Sequence, residues 1–84
     1  MDHLKNIKGY DSLEALAKDI GDLHYESFTE LLFQLAKKIQ HDSEKDRKYG
    51  RQQLADALSD ASGALYGAYD AMDVAWKICK KYMK

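Results

Sequence analysis

Proline is absent from the 84-residue chain, and cysteine occurs once, as Cys79. The lack of proline removes the strongest breaker of helices, and a single thiol excludes a disulfide within the chain. No combination of cysteine and histidine has the spacing of a structural zinc site. Because a chain this short has a marginal core of its own, we expect it to gain stability from a second subunit.

A charge excess of one sign is also lacking, since 13 lysines and arginines oppose 14 aspartates and glutamates, for a net charge of −1. This balance disfavours a nucleic-acid partner, because such binders usually carry a basic excess. No apolar run reaches the length of about 18 residues that a membrane span requires, and the first residues lack the apolar core of a signal peptide. These features predict a cytoplasmic protein without a membrane span.

The first predicted helix covers residues 12–20. Leu13, Leu16 and Ile20 recur there at helical spacing. Gly21 follows, and we expect it to end the helix in a left-handed conformation.

The second predicted helix has an apolar stripe at spacings of three and four residues, formed by Tyr25, Phe28, Leu32, Leu35 and Ile39. A strongly charged segment follows, which gives two possibilities. The helix stops near His41 and leaves a loop, or it continues to Lys48 and turns at Gly50. We favour continuation over 25–48, because Glu44 and Lys48 form a favourable pair one turn apart.

The third predicted helix covers residues 51–82 and has the longest apolar pattern in the chain. Its heptad seam repeats at spacings of four and three residues, through Leu54, Leu58, Ala61, Leu65, Ala68, Met72, Ala75, Cys79 and Tyr82. A seam of this kind is typical of a helix that packs along another helix.

Two apolar flanks widen the third helix beyond its seam. Tyr69, Trp76 and Met83 lie on one flank, and the other flank consists of Ala57, Ala64, Ala71 and Ile78. The apolar arc spans more than half of the circumference, whereas one neighbour requires an arc of only about 100°. The first helix, about 14 Å long, cannot cover a third helix of about 48 Å.

We therefore predict a single all-α domain over residues 1–84, with a short N-terminal helix and a long antiparallel helical hairpin that assembles as a four-helix-type dimer. We assign the dimer interface to the alanine flank together with Phe33, a large aromatic residue on a polar face of the second helix. Gly63 and Gly67 each cost about 1 kcal/mol relative to alanine inside a helix. Either a neighbour packs closely against them, or the cost is tolerated.

The sequence has few motifs typical of catalysis or of binding a cofactor or a metal. Cys79 falls on the heptad seam, where a thiol acts as a small apolar residue, and no glycine-rich phosphate loop is present. We therefore predict neither an enzyme nor a cofactor. A metal-binding helical bundle remains an alternative, although no Glu-x-x-His pair of the di-iron type occurs.

A degenerate helix-turn-helix is the second alternative. Ala17 and Gly21 have the spacing seen where such units turn. However, Glu26 and Glu30 occupy the start of the next helix, where contacts with DNA require basic or amide side chains.

The best-supported function is a non-enzymatic adaptor, regulator or inhibitor that binds another protein through the third helix. The candidate surface consists of Tyr66, Tyr69, Asp70, Asp73 and Trp76. Tyrosine and tryptophan are enriched at interaction hot spots, and the aspartates favour a basic partner. The competing interpretation is that Tyr69 and Trp76 belong to the internal core.

Overall fold

A computed structural model describes residues 3–82, in which all regular structure is helical. The three helices are α1 (Leu13–Gly21), α2 (Tyr25–Lys48) and α3 (Gln52–Lys80). Helices α2 and α3 pack against each other along their length as a hairpin, as predicted, whereas α1 approaches them at few points. Residues 1, 2, 83 and 84 of the predicted domain lie outside the described residues.

Helix α1 begins at a serine cap and ends without a left-handed residue. The Ser12 hydroxyl accepts a hydrogen bond from the Ala15 backbone N–H at 3.1 Å, which satisfies one of the free donors of the first turn. The prediction for Gly21 was wrong, since Gly21 is helical and does not have a positive φ. The last turn tightens instead, since the Leu23 backbone N–H bonds to the Ile20 carbonyl, three residues earlier, at 3.1 Å.

Helix α2 continues through the charged segment to Lys48, and the chain then turns at Gly50. Gly50 has a φ of 80°, a conformation that glycine adopts without steric cost. Arg51 closes the turn, because its guanidinium bonds the Asp46 carboxylate at 2.9 Å and its backbone N–H bonds the Asp46 carbonyl at 2.9 Å. The second of the two possibilities for α2 is therefore the one adopted.

The contact between α2 and α3 is made by small side chains, which we call the small-residue seam: Thr29, Ala36 and Ser43 of α2 and Ala55 and Ser62 of α3. On each helix these residues recur at seven-residue intervals, so they form one narrow line. Small side chains allow the two backbones to approach closely.

The seam hydroxyls are satisfied by backbone carbonyls. Ser43 donates to the carbonyl of Ala55 at 2.6 Å, and Ser62 donates to the carbonyl of Ala36 at 2.8 Å. These two bonds run in opposite directions between the helices. Each buried hydroxyl therefore adds a cross-link and avoids the cost of an unsatisfied polar group.

The large apolar residues lie beside this seam, on what we call the leucine face: Leu32, Leu35 and Ile39 of α2 and Leu54, Leu58, Leu65 and Met72 of α3. The heptad seam read from the sequence of α3 therefore does not face α2 directly. Leu54 is 47% exposed and Leu35 is 42% exposed. The reason is that Ala55 and Ser62, one position away, fit the closer helix contact.

The hairpin is thin, and its burial is correspondingly shallow. The Cα atoms of residues 3–82 span 52 × 30 × 13 Å, so this part of the chain is flat and has little depth in which to bury side chains. Among residues 3–82, no large side chain is fully buried, and the buried apolar residues are Ala36 and Ala55. The small-residue seam therefore supplies the whole of the fully buried core of this part of the chain.

Within the described range, no helix combines the length and the apolar character that a membrane crossing requires.

Candidate functional site

A groove lies across α2 and α3 near the open end of the hairpin, on the side away from the leucine face. It encloses about 310 Å³ and is lined by Glu26, Thr29, Glu30, Tyr69, Asp73 and Trp76. We call it the aromatic–acidic groove. Three of the five residues that the sequence suggested for partner binding, namely Tyr69, Asp73 and Trp76, line it.

The hairpin turn explains why these residues meet. Because the helices are antiparallel, residues at similar distances in sequence from Gly50 lie opposite one another. Glu26 and Glu30 are one turn apart on α2, and therefore point to one side of that helix. They face the part of α3 that carries Tyr69 and Asp73.

The groove carries negative charge from both helices. The Glu30 carboxylate accepts a hydrogen bond from the Gln34 amide at 2.8 Å. The Asp73 carboxylate pairs with the Lys77 ammonium at 2.8 Å, and this hydrogen bond raises the pKa of Lys77 above its ordinary value. Because Asp73 already has a cation in Lys77, the carboxylates of Glu26 and Glu30 contribute most to the attraction of a cationic ligand.

The aromatic walls of the groove are held in place by other rings. The ring of Tyr69 packs against Phe33 with centroids 5.3 Å apart. Trp76 meets His24 edge-on at 4.6 Å, and the Lys80 ammonium lies 5.4 Å from its ring centre. Tyr69 and Trp76 are half-buried, so they pack within the hairpin and also present a surface.

The other two residues of the suggested surface lie outside the groove lining. Tyr66 packs edge-on against Phe33 at 6.0 Å, and its hydroxyl donates to the Gln40 side-chain oxygen at 3.1 Å. Asp70 is exposed on α3. Tyr66 therefore supports the Phe33 ring from the side of the hairpin turn.

The residues suggested for a dimer interface do not form one surface within the protomer. Ala57, Ala64, Ala71 and Ile78 are exposed, and their seven-residue spacing places them on a single line along α3. Phe33 is apart from them, because it contacts Tyr66 and Tyr69 on the groove side.

The two glycines of α3 have no close neighbour in the protomer. A Cβ atom built on Gly63 or on Gly67 meets nothing within 4 Å. Close packing within the protomer therefore does not explain the two glycines. Within the protomer, α3 tolerates their lower helix propensity.

Among residues 3–82, no group of three or more histidine, cysteine, aspartate or glutamate side chains is arranged to hold a metal ion. Cys79 is half-buried and borders a shallow hollow with Leu23, His24 and Trp76. Apolar and aromatic neighbours of this kind fit a structural role for the thiol.

Sequence reasoning missed the contribution of α2 to the groove. In the sequence, Glu26 and Glu30 bear only on DNA binding, which their negative charge disfavours. The signal that would have found them is the turn at Gly50, which places the first two turns of α2 opposite Tyr69 and Asp73.

Comparison of the chain with models of protein families, with curated proteins and with solved structures produced no match.

Proposed function

We propose that the protein is a non-enzymatic interaction module that binds a basic segment of another protein in the aromatic–acidic groove. The observation that carries this proposal is the convergence of Glu26, Glu30 and Asp73 beside Tyr69 and Trp76. The partner is recognised by a lysine or arginine side chain. Such a module acts as an adaptor, a regulator or an inhibitor, depending on what the bound segment otherwise does.

The chemistry of the groove suits an arginine or a lysine. A guanidinium or ammonium group gains from the face of an aromatic ring as well as from carboxylates. The ring of Trp76 already has one cation beside it, the Lys80 ammonium 5.4 Å from the ring centre, which is the kind of contact that a partner's basic side chain would make. The aromatic residues add contact area at a low cost in side-chain entropy.

The proposal includes a homodimer. The protomer has no fully buried large side chain in the described range, and several large apolar residues remain exposed. An 84-residue chain with so shallow a core gains stability when a second copy covers such residues.

Affinity capture from the native cell tests the groove with a matched control. The test variant combines Glu26→Gln, Glu30→Gln and Asp73→Asn, which removes the groove charges. The control variant combines Glu14→Gln, Glu44→Gln and Asp60→Asn, which removes three charges that do not line the groove. We expect the protein captured by the wild type to be lost with the test variant and retained with the control.

Titration of the captured partner then measures the size of the effect. We expect the test variant to bind at least about 10-fold more weakly and the wild-type affinity to fall as salt increases. Equal affinity of the two variants would contradict the assignment of the groove. A salt-sensitive complex with DNA or RNA would favour the helix-turn-helix alternative instead, and metal retained through purification would favour the metal-binding bundle.

A further inference from the structure

We infer that two copies of this chain pair through the leucine face, so that the aromatic–acidic groove stays open on each copy. This inference rests on the homodimer of the proposed function and names its interface. It does not depend on what the groove binds, because the groove lies on the other side of the hairpin.

The leucine face has protruding residues and a hollow that complement each other. Leu35 is 42% exposed near the middle of α2. Closer to the turn, Ile39, Leu54 and Leu58 line a hollow of about 330 Å³, with His3 and charged side chains at its rim. In an isologous pair the same patch serves both copies, so the protruding leucine of each copy can enter the hollow of the other.

Two carboxylates beside this face, Asp42 and Asp46, are already paired within one copy. The Lys38 ammonium lies 2.6 Å from the Asp42 carboxylate, and Arg51 bonds Asp46 at 2.9 Å. Association of two copies therefore leaves neither of these carboxylates unpaired. The net charge of −1 for the whole chain adds little repulsion between copies.

The size of the face matches the needs of a stable dimer. The stretch over which α2 and α3 run side by side is about 36 Å long, and two adjacent helices are about 20 Å wide, which gives about 700 Å² on one copy. Specific interfaces bury about 800 Å² on each partner. The outer line of Ala57, Ala64 and Ala71 offers less, because an alanine side chain carries little apolar area.

Sedimentation equilibrium over a dilution series tests the inference on the full chain. We expect the wild type to have twice the protomer mass of 9.6 kDa at micromolar concentration. Leu35→Glu and Leu54→Glu should each raise the dimer dissociation constant by at least about 100-fold, since each buries a carboxylate without a partner. Both positions are more than 40% exposed in the protomer, so the hairpin tolerates the substitutions.

Two control variants, Ala64→Glu and Ile78→Glu, place the same charge on the outer line of α3. We expect both controls to remain dimeric, and circular dichroism should show unchanged helix content in all four variants. A wild type that is monomeric at millimolar concentration would overturn the inference, as would leucine variants that dimerise normally. If the two controls dissociate and the leucine variants do not, the copies pair through α3 instead, and the homodimer of the proposed function stands without this interface.

Discussion

The small-residue seam and the leucine face lie side by side on the same two helices, yet they differ in side-chain size and in burial. The seam has the smallest side chains and the deepest burial, with Ala36 and Ala55 completely inaccessible. The leucine face has the largest aliphatic side chains, and Leu35 and Leu54 remain more than 40% exposed. Within one protomer, closeness of the backbones rather than bulk determines which residues join the helices.

This difference separates two kinds of contribution to stability. Small residues bury little area, but they allow Ser43 and Ser62 to bond carbonyls across the interface. Large residues gain about 25 cal/mol for each Å² removed from water, and on the leucine face Leu35 and Leu54 still leave more than 40% of their surface in water. The seam therefore fixes the geometry of the hairpin, and the leucine face holds its unused apolar area.

The largest expected effect comes from adding bulk to the seam. Ala36→Leu should lower the free energy of unfolding by about 2–3 kcal/mol, because the fully buried site has no room for a larger side chain. Urea denaturation followed by circular dichroism measures the change. The control is Ala61→Leu, at an exposed position on α3, which should cost little. Equal losses for both variants would show that the seam is not the tight contact.

Removal of the seam hydroxyls should have a smaller effect. Ser43→Ala and Ser62→Ala should each lower the free energy of unfolding by about 1 kcal/mol, the usual net value of a hydrogen bond. The two bonds are separate, so the losses should add. Ser59→Ala, at an exposed position, serves as the control and should change stability by less. Thermal unfolding of the wild type and the four variants measures these losses, and a double variant as stable as the wild type would argue against the two cross-links.

Substitution of the helical glycines should stabilise the protomer modestly. Gly63→Ala and Gly67→Ala should each raise the free energy of unfolding by about 0.8 kcal/mol, because the added methyl group meets no neighbour within 4 Å. Gly50→Ala is the opposite control and should destabilise the hairpin, since Gly50 has a φ of 80°. If either helical substitution instead weakens dimer formation in sedimentation, a second copy packs closely against α3 at that point.

The smallest effect concerns an ion pair at the edge of the leucine face. The hydrogen bond from Lys38 lowers the pKa of the Asp42 carboxyl below its ordinary value. A carboxyl with a lowered pKa stabilises the fold above its ordinary pKa of about 4, and the contribution is lost as the pH falls through the lowered value. Lys38→Met should return the pKa of Asp42 towards the ordinary value, as measured by NMR titration. An unchanged titration curve would mean that Lys38 does not cause the shift.

Much of the fold could be predicted from the sequence because helical periodicity and turn chemistry are local. The antiparallel hairpin followed from the absence of proline, the two long patterns and Gly50. The line of residues through which α3 contacts α2 could not be predicted from the sequence. Judged by side-chain size alone, Leu54 and Leu58 were better candidates for this contact than Ala55 and Ser62. How closely α2 and α3 approach each other depends on the small residues of both helices. The pattern of α3 alone does not show where those of α2 lie.

The candidate site was half predictable for a similar reason. Tyr69, Asp73 and Trp76 lie on one helix, and their spacing placed them together. Glu26 and Glu30 join them only through the hairpin, from a part of the chain more than thirty residues away. Asp70 was grouped with them by proximity in sequence, although it does not line the groove.

The three-residue connection between α2 and α3, residues 49–51, also protects the hairpin against slippage. A seam that repeats every seven residues would otherwise accept a slide of one heptad, about 10.5 Å along the axis. Such a slide would bring Ala36 against the Tyr69 ring, and it would break both hydrogen bonds between Arg51 and Asp46 that close the turn. The short loop thus restricts the repeating seam to one register of α2 against α3.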